Sequence, residues 1–364
     1  MKRTAEFVTP KHPDKLADRM ADTILDSYLE EDKNARAAIE VLAGHGEIRI
    51  IGEARVGKMS QKGMTDRATR TALDFIKNEG LAAPKKISVK IVKQSAEIAA
   101  GVDTGGAGDQ GIMWGLATRE TETTGEYLPL EYCLARSLCE HLYEKYPEDG
   151  KTQVTLDGKQ ITTIVASFAN APAADLESEV RHWLIKIEGK YPAEPATPIE
   201  ILANPAGDWS QSGWEADTGL TGRKLAVDNY AGACPCGGGA YSGKDPSKTD
   251  RSGGYMARKI ALTLLREATR DGASGKTERP MIVEVRLAYA IGKPEPVDAT
   301  AIIAWEDGTT YADLSDLELF RFDTTPNGII QSLKLREIKY EPTARWGAYG
   351  HPGEFPWEVE NGRE

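Results

Sequence analysis

The sequence predicts an α+β protein made of three similar β-α-β units, in which helices cover each sheet in α/β-type layers. Two observations predict this class. Pairs of short strands alternate with amphipathic helical segments three times along the 364 residues, and no low-complexity tract or long linker interrupts them. We predict domains at 1–95, 96–212 and 213–364. Because no strict sequence repeat is visible, the internal symmetry is a hypothesis at this point.

In the first unit, Leu16, Met20, Ile24 and Tyr28 recur every fourth residue, which predicts an amphipathic helix over 14–28. Apolar residues alternate with lysines over 86–93, which predicts a strand. The other predicted elements of this unit are strands at 35–43 and 47–56 and a helix at 64–77.

The second unit begins after a glycine-rich run at 101–115, which predicts a loop. Its predicted elements are a helix at 129–145, a hairpin at 152–156 and 160–167, a helix at 174–187 and a strand at 198–202. The third unit has predicted strands at 224–228, 282–290 and 299–305 and predicted helices at 255–268, 314–320 and 329–335. We expect the Gly- and Pro-rich tail after Trp346 to run along the surface.

Composition excludes several classes of protein. The net charge of −11 argues against a nucleic-acid-binding surface, which needs a clustered positive field. No apolar run is long enough to span a membrane, and the N-terminus lacks the apolar core of a signal peptide. The four cysteines are too few for a disulfide framework, so the reducing cytoplasm is the expected compartment. The pair Cys234 and Cys236 lacks the second Cys/His pair of a typical metal site.

The most informative segment is 237–251, where a glycine run precedes Lys244, Asp245, Lys248 and Asp250. Glycines let a backbone approach a ligand closely, lysines bind phosphate oxygens, and aspartates are hard ligands for Mg²⁺. This combination predicts a site for a polyphosphate and a metal. A P-loop is excluded because Asp245 stands where that motif requires Ser or Thr. A surface loop with incidental charges is the alternative.

Three further segments carry candidate chemistry. His12-Pro13-Asp14-Lys15 precedes a helix, whose N-terminus attracts anions, although Asp14 could simply begin that helix. The run 106–111 matches G-x-G-x-x-G, but no strand precedes it, so we reject dinucleotide binding. Segment 217–224 places Arg223 and Lys224 beside glycines, either as a turn or as part of a shared anion site with 237–251.

Taken in order, the motifs at 12–15, 106–111, 217–224 and 237–252 closely resemble those of S-adenosylmethionine synthetases, over nearly the whole chain from Glu6 to 355–357. The resemblance implies three β-α-β domains with pseudo-threefold symmetry and a mobile glycine-rich loop at 94–111. It implies that ATP and L-methionine give S-adenosylmethionine, and that the triphosphate is then cleaved to phosphate and pyrophosphate. It also implies a homodimer or homotetramer with active sites between subunits.

The resemblance further implies roles for individual residues. The catalytic positions are His12, Lys15, Lys151, Arg223 and Lys244. The positions that bind ATP are His12, Asp149, Lys151, Asp208, Trp209, Asp217, Arg223, Lys224, Ala240 and Lys244. The positions that bind methionine are Glu53, Gln94, Asp109, Asp217 and Lys248. Asp14 and Asp250 are the implied ligands of a pair of Mg²⁺ ions, and Glu40 is the residue linked to K⁺.

Several positions depart from the family pattern. Pro10-Lys11 replaces an acidic-Gly pair, Asp208 stands where Arg is common, and the 234–236 segment lacks the usual His. The stretch after Gln94 is shorter than in typical bacterial members, which could change substrate range or product release. The rival functions are a polyphosphate hydrolase or kinase that does not use methionine, and a nucleotide-sensing module without turnover.

Overall fold

The computed structural model describes residues 2–94, 105–271, 277–312 and 321–359, and three four-stranded sheets form its framework. The strands in chain order are β1 Lys2–Val8, β2 Arg36–Gly44, β3 Glu47–Arg55, β4 Lys86–Lys93, β5 Gly111–Thr118, β6 Gly150–Asp157, β7 Gln160–Phe168, β8 Glu194–Ala203, β9 Gly219–Leu220, β10 Arg270–Asp271, β11 Thr277–Glu278, β12 Ile282–Tyr289, β13 Asp298–Ala304 and β14 Thr310–Ala312. The helices are α1 Pro13–Glu31, α2 Gln61–Asn78, α3 Leu130–Lys145, α4 Ala173–Lys186, α5 Gly213–Ala216, α6 Leu225–Asn229, α7 Thr249–Glu267 and α8 Pro326–Ser332. Two 3-10 helices, Arg119–Thr124 and Glu341–Ala344, complete the described elements.

The same order of elements recurs three times: a first strand, a long helix and a two-stranded hairpin. The first strand never pairs with the hairpin of its own unit. Strand β1 pairs with β6, β5 pairs with β12, and β9 returns to pair with β2. Each sheet therefore contains strands from two units, and the exchange closes in a ring.

A parallel strand completes the first two sheets. Strand β4 lies parallel to β3 after the α2 connection, and β8 lies parallel to β7 after α4. In the third sheet, β14 follows β13 directly and pairs with it antiparallel. The helix predicted at 314–320 lies outside the described residues.

One long helix covers each sheet. Helix α1 packs on β2 and β9, α3 packs on β1 and β6, and α7 packs on β5 and β12. The apolar stripe predicted on α1 is fully buried, so burial of this face fixes the helix on its sheet. Beside these helices, α2 packs on α1 and β4, α4 packs on α3 and β8, and α8 packs on α7. The prediction of three β-α-β units with helix-covered sheets is confirmed.

Two of the predicted local structures are wrong. The strand predicted at 224–228 is the short helix α6, in which the Asp228 N–H donates to the Lys224 carbonyl at 2.8 Å. The loop predicted at 101–115 becomes strand β5 from Gly111 onward. A Cβ on Gly115 would lie 2.1 Å from the Ala257 carbonyl carbon, so this glycine allows α7 to pack tightly against the strand.

Most of the tail from 347 to 359 is buried or half-buried, contrary to the expected surface path, and only 352–354 are exposed in that range. Tyr349 and Trp357 have no exposed surface, and the Trp357 ring stacks on Tyr255 of α7 with ring centroids 3.7 Å apart. Burial of these aromatic rings ties the tail to the third unit. None of the helices in the described ranges combines the length and apolar character needed to cross a membrane.

Candidate active site

The N-terminus of α1 carries the first group of predicted site residues. His12 caps the helix, and its Nδ1 accepts a hydrogen bond from the Asp14 N–H at 3.2 Å. Burial, with the positive charges of Lys224 and Lys151 nearby, lowers the pKa of His12 to about 3. The imidazole is therefore neutral at physiological pH. Because Nδ1 accepts, the neutral ring carries its proton on Nε2.

Asp14 connects this helix to the 217–224 segment. Its Oδ2 accepts a hydrogen bond from Lys224 Nζ at 2.6 Å, and its Oδ1 accepts one from the Leu220 N–H at 3.0 Å. Arg223 approaches Oδ1 at 3.5 Å while remaining largely exposed. Burial alone would raise the pKa of Asp14, but the bonds from Lys224 and Leu220 outweigh it and lower the pKa. The carboxylate is therefore charged and surrounded by cations.

Two other members of this group are buried beside it. Lys15 has no exposed surface, and its ammonium contacts Asp228 Oδ2. Burial raises the pKa of Asp149 to about 6, although the Gly213 N–H and the charge of Lys151 oppose the rise. Lys151 lies on β6 opposite Val8 of β1. The predicted residues Asp149 and Lys151 thus lie close to each other at the start of β6.

The second group lies on the 237–251 segment. Lys244 Nζ donates to Asp250 Oδ2 at 2.8 Å, and Lys248 Nζ donates to Asp245 Oδ2 at 2.6 Å. A Cβ on Gly239 would lie 2.0 Å from Asp250 Oδ1. Only glycine therefore lets the loop close this tightly over the carboxylate.

The edge of β2 holds both segments. Leu220 pairs with Leu42, while Lys244 forms an isolated bridge with Ala38. At about 3.3 Å per strand residue, these two contacts are roughly 13 Å apart. Glu53 on β3 pairs with Ala38 across the opposite edge of β2, at the same level along the strand as Lys244. The strand thus sets the spacing between the two groups.

The remaining predicted residues are more peripheral. Glu40 is exposed on β2, and the Gln94 N–H donates to the Ala54 carbonyl at 3.2 Å. Asp109 is exposed and its Oδ1 accepts a bond from the Gln110 N–H at 2.7 Å. Asp217, also exposed, accepts the Thr218 N–H at 2.7 Å.

Three more predicted ATP-binding residues lie on loops. Asp208 accepts the Ala173 N–H at 2.9 Å at the start of α4. Trp209 is half-buried, and its carbonyl accepts the Asn170 N–H at 2.8 Å. Ala240 is close to Gly222, where an added Cβ would lie 2.6 Å from the Ala240 Cβ. The two glycine segments therefore touch at this point.

The sequence interpretation missed a ladder of aspartates on α1. Asp14, Asp18, Asp22 and Asp26 follow each other every four residues, and each accepts backbone N–H groups from the third unit. Asp22 accepts the Gly243 N–H at 2.7 Å and also pairs with Arg251 at 2.5 Å. The signal was visible, because residues four apart share one helix face.

The ladder and the strand impose the same spacing. Asp14 binds the 217–224 segment and Asp22 binds the 237–251 segment. Eight residues of helix rise about 12 Å, which agrees with the separation along β2. We call the residues around the start of α1 (His12, Asp14, Lys15, Arg223 and Lys224) the His12 group, and Lys244, Asp245, Lys248 and Asp250 the Lys244 group. Among the described residues, no hydrogen bond or ion pair joins the two groups directly.

The carboxylates suit a metal that arrives with phosphate. No three Cys, His, Asp or Glu side chains converge as a metal cage within the described ranges. Asp14 and Asp250 each hold a lysine instead. Mg²⁺ is commonly held by one or two carboxylates together with water and substrate phosphates. The chemistry of these two carboxylates therefore fits Mg²⁺ that would also be held by water and substrate phosphates.

A three-unit fold with cation-rich glycine segments defines a class of enzyme that handles anionic substrates, and family comparison makes the class specific. Models of the N-terminal, central and C-terminal domains of S-adenosylmethionine synthetase match residues 1–96, 104–209 and 212–359. The chain belongs to the S-adenosylmethionine synthetase family.

Individual relatives agree. The chain is 39% identical to S-adenosylmethionine synthase of Wolinella succinogenes and 36% identical to that of Corynebacterium glutamicum. Each alignment covers 98% of this chain and 94% of the relative. A solved structure of an unusual S-adenosylmethionine synthetase from Campylobacter jejuni matches with a TM-score of 0.78 and 33% identity, over 98% of this chain and 96% of that one.

Proposed function

We propose that the chain makes S-adenosyl-L-methionine from ATP and L-methionine by in-line attack of the methionine sulfur on C5′ of ATP. The released triphosphate is then hydrolysed to phosphate and pyrophosphate. Family membership supports the reaction class. The observation that carries the proposal for this chain is the pairing of Lys224 with Asp14 and of Lys244 with Asp250. Each pair joins a phosphate-binding cation to a carboxylate suited to Mg²⁺.

The chemistry explains why cations dominate the site. A thioether has no proton to lose, so the attack needs no general base. The barrier lies in the departure of a highly charged triphosphate, which positive groups stabilise. Mg²⁺, when bound, supplies further positive charge at the leaving group. Lys15, Lys151, Arg223, Lys224 and Lys244 surround the phosphates in this proposal.

His12 has a role that follows from its tautomer. A neutral ring with its proton on Nε2 donates a hydrogen bond without adding a positive charge. We place this donor at the bridging oxygen between C5′ and the triphosphate. The surrounding lysines provide the positive charge, and His12 provides one directional hydrogen bond to that oxygen.

The methionine and nucleoside positions are also part of the proposal. Asp217 suits the ammonium group of methionine and Lys248 its carboxylate, with Glu53, Gln94 and Asp109 around them. Asp149, Asp208, Trp209 and Ala240 contact the nucleotide, and Trp209 offers a ring on which adenine can stack. Asp14 and Asp250 are the ligands for the pair of Mg²⁺ ions. Glu40 is the residue linked to K⁺.

We further propose self-association as a homodimer or homotetramer in the cytoplasm, with active sites shared between subunits. The outer face of the β4-β3-β2 sheet exposes Leu42, Ile51 and Val92, of which Ile51 is 56% exposed. The register places Ile51 diagonally between Leu42 and Val92, and exposed apolar side chains grouped on one sheet face are typical of an interface. In this arrangement, the His12 group of one subunit and the Lys244 group of its partner complete one site.

The reaction is tested by incubating the protein with ATP, Mg²⁺, K⁺ and methionine and identifying the product by mass spectrometry. Release of phosphate and pyrophosphate is measured with and without methionine. We expect S-adenosylmethionine, and phosphate release that depends on methionine. Triphosphate cleavage without methionine would favour the hydrolase, and ATP binding without turnover would favour the sensor. Ethionine and longer analogues test whether the shorter segment after Gln94 broadens the substrate range.

Sharing of the site is tested by mixing two inactive variants, Asp14→Asn and Asp250→Asn, after dissociation and reassociation. If each site uses both subunits, heterodimers contain one intact site, and random mixing restores about a quarter of normal activity. If each site lies within one chain, mixing restores nothing. Either variant reassociated with itself is the control.

A further inference from the structure

Lys15 differs from the other site lysines in its burial. The side chains of Lys224, Lys244 and Lys248 are each 16–18% exposed, whereas that of Lys15 has no exposed surface. A buried ammonium is strongly destabilised unless a partner charge compensates it. The contact with Asp228 Oδ2 supplies that charge. The direction in which Lys15 points therefore depends on Asp228.

The fold holds Asp228 firmly by its backbone. Its N–H donates to the Lys224 carbonyl at 2.8 Å, and its carbonyl accepts the Tyr132 hydroxyl at 2.8 Å. A Cβ on Gly347 would lie 2.7 Å from that same carbonyl oxygen, so the C-terminal tail also packs against it. Three separate parts of the chain fix the position of this residue.

The second carboxylate oxygen faces a polar interior. Asp228 Oδ1 and Arg251 Nε are both buried, and neither has a hydrogen-bond partner among the described residues. Asp228, Asp18 and Arg251 line a cavity of about 20 Å³. A polar cavity of this size accommodates one water molecule. Oδ1 can thus be satisfied from the cavity while Oδ2 remains committed to Lys15.

We infer that Asp228 is a positioning residue for Lys15, which it aims at the departing triphosphate. Asp228 has no predicted contact with substrate or metal, and its Oδ2 is covered by the ammonium. Asp14 and Asp250, in contrast, can exchange their lysines for Mg²⁺. The inference rests on the proposed function, because it assigns Lys15 to the phosphates.

The test is a double-mutant cycle with Lys15→Met, Asp228→Asn and the double variant, using kcat and KM for S-adenosylmethionine formation. If Asp228 acts through Lys15, we expect Asp228→Asn to lower kcat about 10- to 100-fold, as loss of an oriented stabilising group does. KM for methionine should change little. The double variant should be no slower than Lys15→Met alone.

Glu358→Gln is the matched control, because it breaks another buried ion pair, with Arg258, without touching Lys15. It should lower the urea midpoint with little change in kcat. Multiplied losses in the double variant, or a normal kcat in Asp228→Asn, would overturn the inference. Should Asp228→Asn fail to fold, Asp228→Glu retains the charge and displaces the ammonium. Reduced kcat in that variant supports the role, and normal kcat refutes it. If the unmodified protein makes no S-adenosylmethionine, the proposed function itself has failed.

Discussion

Asp14 and Lys15 are neighbours on α1, yet their ion pairs belong to two different kinds. The Asp14–Lys224 pair opens toward Arg223, whose side chain is 53% exposed. In the second pair, the Lys15 side chain has no exposed surface, although its partner Asp228 is 13% exposed. In the proposed mechanism, a lysine that reaches the surface, such as Lys224, can leave its carboxylate when a metal and phosphates bind, whereas the buried ammonium of Lys15 keeps its partner. The contrast teaches that the surroundings of a lysine–aspartate pair, more than its residue types, determine its use.

The same contrast extends along the aspartate ladder. Asp14 keeps its lysine at the surface of the site, while Asp22 commits its oxygens to Gly243 and Arg251 inside the protein. Substitutions at matched positions can therefore separate catalytic effects from stability effects.

The largest effect is expected at Asp22. Asp22→Asn can still accept the Gly243 N–H, but it leaves the buried Arg251 guanidinium without a compensating charge. Removal of one partner from a buried ion pair typically costs about 3–5 kcal/mol. Urea unfolding followed by circular dichroism measures this loss. An unfolding free energy within about 1 kcal/mol of the unmodified protein would show that the buried Asp22–Arg251 pair does not stabilise the fold as expected.

Next in size is Asp250→Asn, at the exchangeable pair on the second segment. In the proposed role of Asp250 as a ligand of Mg²⁺, its loss removes charge stabilisation at the leaving group, so we expect kcat to fall about 10²- to 10³-fold. The urea midpoint should stay close to normal. Steady-state rates at several Mg²⁺ concentrations provide the measurement. Near-normal turnover, or unfolding of the variant, would refute the metal role.

A smaller effect concerns pH and Asp26, the last residue of the ladder. Burial raises the pKa of Asp26 to about 7. The hydrogen bond from the Tyr340 N–H and the charge of Lys339 partly counter this rise, whereas the negative charge of Asp22 adds to it. A raised pKa means that the folded state holds a proton that the unfolded state releases. The stabilisation is complete below about pH 4 and is lost as pH rises through 7.

Asp26→Asn should remove this dependence. We expect the unfolding free energy of the unmodified protein to fall more steeply between pH 4.5 and 7, by about 1 kcal/mol per pH unit relative to the variant. Urea titrations at four pH values provide the comparison. Parallel curves for the two proteins would show that Asp26 does not titrate in this range.

The smallest effect is expected at Asp208. Its carboxylate accepts the Ala173 N–H at the start of α4 and an Asn204 amide proton at 3.2 Å. Asp208→Ala should therefore cost about 1 kcal/mol of stability, as loss of a helix-capping side chain does. The KM for ATP, measured in parallel, tests the predicted nucleotide contact. An unchanged KM would restrict Asp208 to its capping role.

Much of the fold could be predicted because local patterns and packing agree. Strand β4 matches its prediction residue for residue, because alternate apolar side chains face the core. Predictions failed where tertiary contacts decide the structure. Helix α6 places Asp228 against the Lys15 ammonium, and Gly115 of β5 allows α7 to pack closely on the strand. No local pattern reveals either contact.

Prediction of the site was similarly divided. Motifs and family resemblance indicated the lysines and the carboxylates, and the structure places several of them in contact as Lys224–Asp14 and Lys244–Asp250. Their partners in the interior were not predicted. Asp228 lies 213 residues after Lys15 in the chain, and only the folded arrangement brings the two together.

The ring of exchanged strands has a consequence for synthesis on the ribosome. Strand β1 emerges first, but β6, its partner, ends at Asp157. At about 5–20 residues per second, the first strand waits on the order of ten seconds for a neighbour. The β4-β3-β2-β9 sheet lacks its last strand until Gly219 and Leu220 have been synthesised. A nascent chain that ends before that point cannot complete the ring of exchanged strands. We therefore expect it to depend on chaperones until most of the chain has been translated.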